Sequence, residues 1–172
     1  EMANAEEIIR IALDVKPAEV CLVPEKRQEL TTEGGLDVIG NFQPLEKTVK
    51  RLQDNGSTVS LFIEADEKII AAAAKTGARV IELHTGSFCD ATDPARAERL
   101  LQKLISGAEC AQALGLQVNA GHGINLDNIA SILKIPHLDT LNIGHSIIAR
   151  AVFHGLENAV REMLAAMSEY RS

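Results

Sequence analysis

Two glycine-flanked histidines are the side chains of this sequence best placed to do chemistry. His122 stands in the stretch NAGHG at 119–123, and His145 stands in the similar stretch NIGHS at 142–146. Each stretch follows a short apolar run and precedes a predicted helix, so both histidines are expected just beyond the carboxyl end of a strand. Ligands of parallel α/β proteins bind at these ends. Because imidazole exchanges protons near neutral pH, we predict acid–base catalysis by His122.

The same two turns also predict a site for an anion. Gly123 and Gly144 leave backbone N–H groups unobstructed near the start of a helix, where the helix dipole favours negative charge. We therefore predict that these glycines, together with His145, bind a phosphate group. The alternative is that the glycines only permit sharp turns from strand to helix.

Carboxylates and a third histidine at other strand ends complete the candidate site. Alternation along a strand puts Glu82 and His84 on the same face, from which both are candidates for contact with a substrate. Glu1, as the end of a further strand, would face His122 across the mouth of the sheet and form an acid–base pair with it. The sequence has no HxH, HExxH or aspartate cluster, and we predict that no metal is bound.

A long polar segment from Glu25 to Gly40 interrupts the otherwise regular pattern. It carries the Thr31 hydroxyl and the flexible pair Gly34 and Gly35. Loops of this length are often functional, so a lid over a phosphorylated substrate is one interpretation. A surface loop without such a function is the competing interpretation.

The remaining sequence fits one helix followed by strand and helix repeated five times, which is typical of a parallel sheet. The predicted strands lie at 19–23, 58–63, 79–83, from 116 onward and at 140–143, with a strand tail at 1–2. The predicted helices cover 5–15, 44–54, 67–76, 94–114, 126–133, 146–152 and 156–170, with Asn4, Asp66, Asp93 and Asn125 as N-caps.

Polar residues at every strand end favour a TIM (β/α)₈ barrel over an open sheet, because a barrel gathers all strand ends around one mouth. Eight βα units usually take about 250 residues, and this sequence has 172. We therefore predict a single α/β barrel domain over 1–172 that supplies roughly the last five to six βα units and is incomplete at its amino end.

The composition excludes several classes of protein. The formal net charge is −7, so no basic surface for nucleic acid or an anionic membrane is expected. No apolar run approaches the roughly 20 residues that span a bilayer. The three cysteines are too far apart in sequence for a CxxC site and too few for a disulfide framework, which predicts a reducing cytoplasm.

Several stretches in combination resemble the pyridoxine 5′-phosphate synthase family of vitamin B6 biosynthesis. The matching stretches are EMA at 1–3, CLVPEKR at 21–27, TTEGGLDV at 31–38, VSLFI at 59–63, IELHTG at 81–86, VNAGHG at 118–123 and LNIGH at 141–145. The resemblance implies a (β/α)₈ barrel with extra helices, assembled as a homo-octamer in the cytoplasm. It also implies condensation of 1-deoxy-D-xylulose 5-phosphate with 3-amino-2-oxopropyl phosphate, without a metal or organic cofactor.

The resemblance assigns roles to individual residues. Glu1 matches the catalytic glutamate, a proton acceptor, and His122 matches the catalytic histidine, a proton donor. Thr31 matches a substrate-binding threonine, and Gly123, Gly144 and His145 match groups that hold the substrate and its phosphate. The family's first strands carry an Asn-x-Asp-His motif and a second catalytic histidine, and neither matches a stretch of this sequence.

Two alternatives to such a synthase are open from the sequence. The first is another barrel enzyme acting on phosphorylated sugars, such as an isomerase or an aldolase. A Schiff-base aldolase needs a lysine at a strand end, and Lys26 is the only near candidate. The second is a barrel fragment that binds phosphate without turnover.

Overall fold

The computed structural model describes residues 1–25, 34–168 and 170. The strands are β1 (Met2–Ala3), β2 (Glu19–Val23), β3 (Thr58–Ile63), β4 (Val80–His84), β5 (Gln117–Gly121) and β6 (Leu138–Asn142). The helices are α1 (Glu6–Val15), α2 (Phe42–Asp54), α3 (Glu67–Lys75), α4 (Gly86–Cys89), α5 (Pro94–Ala113), α6 (Ile129–Ile132), α7 (His145–His154) and α8 (Leu156–Met167). Thr31 and Lys26 lie outside the described residues.

All six strands form one parallel sheet whose spatial order follows the chain from β1 to β6. A doubly wound open sheet would reverse its strand order at a switch point, and this sheet does not. Glu1, just before β1, and Gly144, just after β6, line the same cavity. The sheet is therefore curled, so that its first and last strands approach each other. The predicted parallel α/β fold is confirmed and has the form of a partial barrel. Among the strands of the described residues, β1 and β6 lie at the two edges of the sheet.

The two faces of the sheet differ sharply in character. Val59, Leu61 and Ile63 of β3 point outward and are fully buried beneath the helices, and the neighbouring strands repeat this pattern. The inner face instead carries polar side chains, of which Ser60 and Glu82 are examples. The apolar core therefore lies between sheet and helices, and the space enclosed by the sheet is free to hold polar groups.

The N-caps show where local sequence controls the helices and where it does not. The carboxylate of Asp66 accepts hydrogen bonds from two N–H groups of α3, and Asp93 caps α5 with Pro94 at its first position, as predicted. Asn4 is not a cap: its side chain accepts a hydrogen bond from the Thr48 hydroxyl of α2 at 2.7 Å. This contact anchors the start of α1 to a neighbouring helix.

The second incorrect cap is Asn125. Its side chain accepts hydrogen bonds from the N–H groups of Asp127 and Asn128 and so builds a turn, and α6 begins only at Ile129. The short helix α4 was not predicted, because four residues are too few to show helical periodicity. Of the described residues, none belongs to a helix that is long and apolar enough to cross a membrane.

The long helix α5 packs closely on the segment that follows β3. A Cβ atom on Gly107 would lie 2.8 Å from the Cβ of Ala65 and 3.4 Å from Cδ1 of Ile70. The absence of a side chain at Gly107 therefore permits this close approach, which sets the position of the chain just beyond the end of β3.

We expect Gly107→Ala to lower the free energy of unfolding by about 1 kcal/mol. Overpacking against an atom that cannot rotate away costs about 2 kcal/mol, which outweighs the roughly 1 kcal/mol that alanine gains over glycine in a helix. Urea denaturation measures the difference. The exposed neighbour Ser106→Ala is the control and should change stability by less than about 0.5 kcal/mol. Equal effects of the two variants would contradict the packing argument.

Candidate functional site

One cavity at the carboxyl ends of the strands gathers most of the predicted site. It has a volume of about 730 Å³. Among the residues lining it are Glu1, Glu82, His122, Gly123, Gly144 and His145. These residues come from four separated parts of the chain. The parallel sheet brings them together because all its strands end on the same side.

A second cavity of about 340 Å³ lies along the inner face of the sheet, toward the amino ends of the strands. Glu1, Glu82, Asn142 and Gly144 line both cavities, so the two are adjacent. Cys21 on β2 also lines the smaller of the two. No role in the site was predicted for this thiol from the sequence, although strand alternation could have placed it on the inner face.

Glu82 is the most enclosed acid of the site, with only 2% of its surface exposed. Its Oε2 accepts a hydrogen bond from Nδ2 of Asn142 at 2.6 Å and one from the thiol of Cys21 at 3.5 Å. A Cβ atom on Gly121 would collide with Oε1 of this carboxylate, so the glycine makes room for it. The carboxylate is thus held between β2, β5 and β6.

Burial governs the protonation of this cluster. Desolvation raises the pKa of the Glu82 carboxyl above its usual range, the hydrogen bonds from Asn142 and Cys21 oppose that rise, and the negative charge of Glu1 adds to it. Burial beside Glu82 also raises the pKa of the Cys21 thiol to about 12. Cys21 therefore stays protonated at neutral pH and serves as a hydrogen-bond donor.

His122 is held in an unusual backbone conformation. Its φ is +79°, in the left-handed region that side chains rarely adopt. The buried hydroxyl of Thr85 lies 2.8 Å from the carbonyl oxygen of Gly121 and 2.6 Å from that of His122. The N–H of Thr85 also donates to the Gly121 carbonyl at 2.9 Å. Thr85 was not predicted from the sequence, and it fixes the turn that presents the imidazole to the cavity.

The anion-binding part of the candidate site is the start of α7. Gly144 is the N-cap, His145 is the first helical residue, and both line the larger cavity. The first N–H groups of a helix have no partner within the helix and carry partial positive charge. Gly123 has a φ of +84°, and a Cβ atom there would lie 2.8 Å from the Cβ of Cys89. Glycine is therefore required at this turn on both conformational and steric grounds.

Of the predicted site residues that the structure describes, His84 is the one that lines neither cavity. His84 lies behind the larger cavity, where its Nδ1 is 2.8 Å from Oε1 of Glu64 and its ring contacts that of His122. Thr31 is outside the described residues, so its predicted contact with substrate stays a prediction. Within 1–25, 34–168 and 170, no group of three or more His, Cys, Asp or Glu side chains is placed to hold a metal ion.

Thr85→Val should destabilise the protein by about 1–3 kcal/mol, because the carbonyl oxygens of Gly121 and His122 lose the hydroxyl beside them while the shape is kept. Thr85→Ser retains the hydroxyl and is the matched variant. It should lose much less stability than Thr85→Val. Thermal and urea unfolding of both variants measure the difference. Equal stability of the two would show that the hydroxyl does not hold the His122 turn.

Glu82→Gln tests the buried charge through the pH dependence of stability. The folded state raises the pKa of Glu82 above its unfolded value near 4.5, so the contribution of Glu82 to wild-type stability falls as pH rises from that value through the folded pKa. The glutamine variant lacks this titration. Its free energy of unfolding relative to wild type should therefore be higher at pH 8 than at pH 4, as urea titrations at both pH values would measure. A difference that is independent of pH would contradict the assignment.

Comparison with known proteins places this geometry in a family. Residues 1–169 match the sequence model of a protein family described as pyridoxal phosphate biosynthesis protein PdxJ. The chain is 54% identical over 167 residues to the pyridoxine 5′-phosphate synthase of Microcystis aeruginosa and 52% identical over 167 residues to that of Crocosphaera subtropica. Each alignment covers 97% of this chain and 70% of the relative's length.

Solved structures share the fold at low sequence identity. An HpcH/Hpal aldolase/citrate lyase family protein from Burkholderia cenocepacia has a TM-score of 0.56 at 15% identity, over 97% of this chain and 73% of its own. A xylose isomerase domain protein from Planctomyces limnophilus has a TM-score of 0.55 at 15% identity, over 92% of this chain and 65% of its own. These two likenesses show the fold alone. The family match and the curated relatives confirm the resemblance seen in the sequence, and the chain belongs to the PdxJ family of enzymes of pyridoxine biosynthesis.

Proposed function

We propose that this chain carries the catalytic centre of a pyridoxine 5′-phosphate synthase. The reaction condenses 1-deoxy-D-xylulose 5-phosphate with 3-amino-2-oxopropyl phosphate and releases pyridoxine 5′-phosphate, inorganic phosphate and water. The observation that carries the proposal is the single cavity shared by the carboxylates of Glu1 and Glu82, the imidazole of His122 and the start of α7. The names of the curated relatives give the reaction class.

The acid–base groups suit the proton transfers that this reaction needs. Formation of a Schiff base, loss of water and ring closure each move protons between carbon, nitrogen and oxygen. We assign Glu1 the role of proton acceptor and His122 that of proton donor. Glu82, with its raised pKa, is a neighbouring acid in a different environment, and two acids of unlike pKa can serve different steps.

The start of α7 is the proposed phosphate site. N–H groups near Gly144 and His145, together with the turn at Gly123, offer donors to phosphate oxygens at the rim of the cavity. A phosphate held there would place the carbon skeleton of the substrate toward Glu82 and His122. Thr31 is retained as a proposed substrate contact on the resemblance alone.

A Schiff-base aldolase is the competing enzyme, and the cavity does not favour it. Such an enzyme uses a lysine amine as nucleophile. Among the residues that the structure describes around the two cavities, none is a lysine.

Assembly and location also belong to this proposal. On the family resemblance we propose a homo-octamer in the cytoplasm, acting on phosphorylated small molecules and without nucleic-acid or membrane partners. Analytical ultracentrifugation of the purified protein tests the assembly, and a monomer at micromolar concentration would contradict it.

His122→Asn should lower kcat by roughly 100-fold or more, because loss of a general acid typically costs 10²–10⁴ in rate. The purified protein is incubated with both substrates, and pyridoxine 5′-phosphate is quantified by chromatography with mass detection. His137→Asn is the matched control, since His137 also has a positive φ, of 61°, but is exposed and outside both cavities. Unchanged turnover in His122→Asn would remove its catalytic role, and absence of product with wild type would contradict the proposed reaction.

A further inference from the structure

A nearly buried carboxylate–imidazole pair lies directly behind the proposed proton donor. Glu64 follows the last residue of β3, and His84 is the last residue of β4. Oε1 of Glu64 is 2.8 Å from Nδ1 of His84, and their side chains are only 7% and 9% exposed. Neither residue lines the two cavities that hold the proposed site. A role for the pair therefore has to act through another residue.

The residue in contact with this pair is His122. The ring centroids of His84 and His122 are 5.1 Å apart, and the rings meet edge to face at 66°. Phe62 supports both rings, with centroids 5.1 Å from His84 and 6.4 Å from His122. The His122 imidazole is thus in contact with two other rings, of which the Phe62 ring also lines the larger cavity.

Gly86 makes this ring contact sterically feasible. A Cβ atom on Gly86 would lie 2.5 Å from Nε2 of His84 and 2.8 Å from Cδ2 of His122. Both imidazoles therefore press against the same side-chain-free position at the start of α4. With Thr85 holding the backbone of the His122 turn, the ring has contacts on several sides.

Glu64 in turn fixes the orientation of His84. An ionised carboxylate only accepts hydrogen bonds, so Nδ1 of His84 is the donor, and rotating the ring would break this bond. The same Oε1 accepts a hydrogen bond from the N–H of Gly35 at 3.0 Å. The Glu64 carboxylate therefore ties the His84 ring to the backbone at Gly35.

We propose that Glu64 and His84 are positioning residues that orient the imidazole of His122 toward the cavity. The proposal rests on the proposed function for the catalytic role of His122, but the orientation itself can be observed without turnover. Misplacement of a catalytic group by about 1 Å can cost as much as 100-fold in rate, so a second layer of this kind can affect kcat without touching substrate.

Steady-state kinetics of four variants separate positioning from general stability. His84→Ala and Glu64→Ala should each lower kcat roughly tenfold or more while KM changes less than about twofold. Glu64→Gln keeps an oxygen that accepts both hydrogen bonds and should restore kcat to within about threefold of wild type. Leu83→Ala is the matched control: it lies next to His84 on β4 but faces the apolar core, so it should destabilise the fold and leave kcat unchanged.

A nuclear Overhauser effect reports the orientation directly. Because Cδ2 of His122 faces the side-chain-free position of Gly86, its Hδ2 proton should show a strong effect to the Gly86 Hα protons in wild type and in Leu83→Ala. In His84→Ala this effect should be lost.

The two measurements also distinguish the two proposals. Retention of the effect in His84→Ala overturns the positioning role, as does an equal loss of kcat in His84→Ala and Leu83→Ala. If wild type makes no product but the effect is lost in His84→Ala, the proposed reaction fails while the orientation of His122 by His84 stands.

Discussion

The buried carboxylate of Glu82 imposes the constraint on which the interior of this sheet depends. A carboxylate removed from water needs hydrogen-bond partners, and here they come from Asn142 on β6 and Cys21 on β2. It also needs space, which Gly121 on β5 supplies by lacking a side chain. One acidic group on β4 therefore specifies residues on three other strands, and the inner face stays polar while the outer face forms the apolar core.

The strand ends next to Glu82 show how this arrangement extends to the rim. Thr85 follows β4 and binds the carbonyl groups of the turn after β5, so the two strand ends are linked by side chain as well as by backbone. Residues 64 and 84 form a second link, between the ends of β3 and β4. A rim connected in this way can hold a histidine at positive φ, because neighbouring contacts offset the local strain.

Acid–base chemistry needs groups that differ in environment although they lie close together. Glu82 is enclosed and has a raised pKa, whereas Glu1 is exposed at the rim of the same cavity. The start of α7 adds positive potential at one end of the cavity. Acids of unlike environment and the start of a helix thus face one cavity, and this arrangement is the physical basis of the proton transfers and the phosphate site proposed above.

The sequence alone determined the alternation of strands and helices, the caps at Asp66 and Asp93, and the placement of His122, Gly123, Gly144 and His145 at strand ends. These features follow from local periodicity and turn chemistry, which act over a few residues. Only the tertiary structure decided the roles of Asn4, Cys21, Thr85 and the Glu64–His84 pair, which depend on partners 20 to 61 positions away in the chain. Such contacts are set by strand register and sheet curvature, and no local pattern specifies which distant side chains these will bring together.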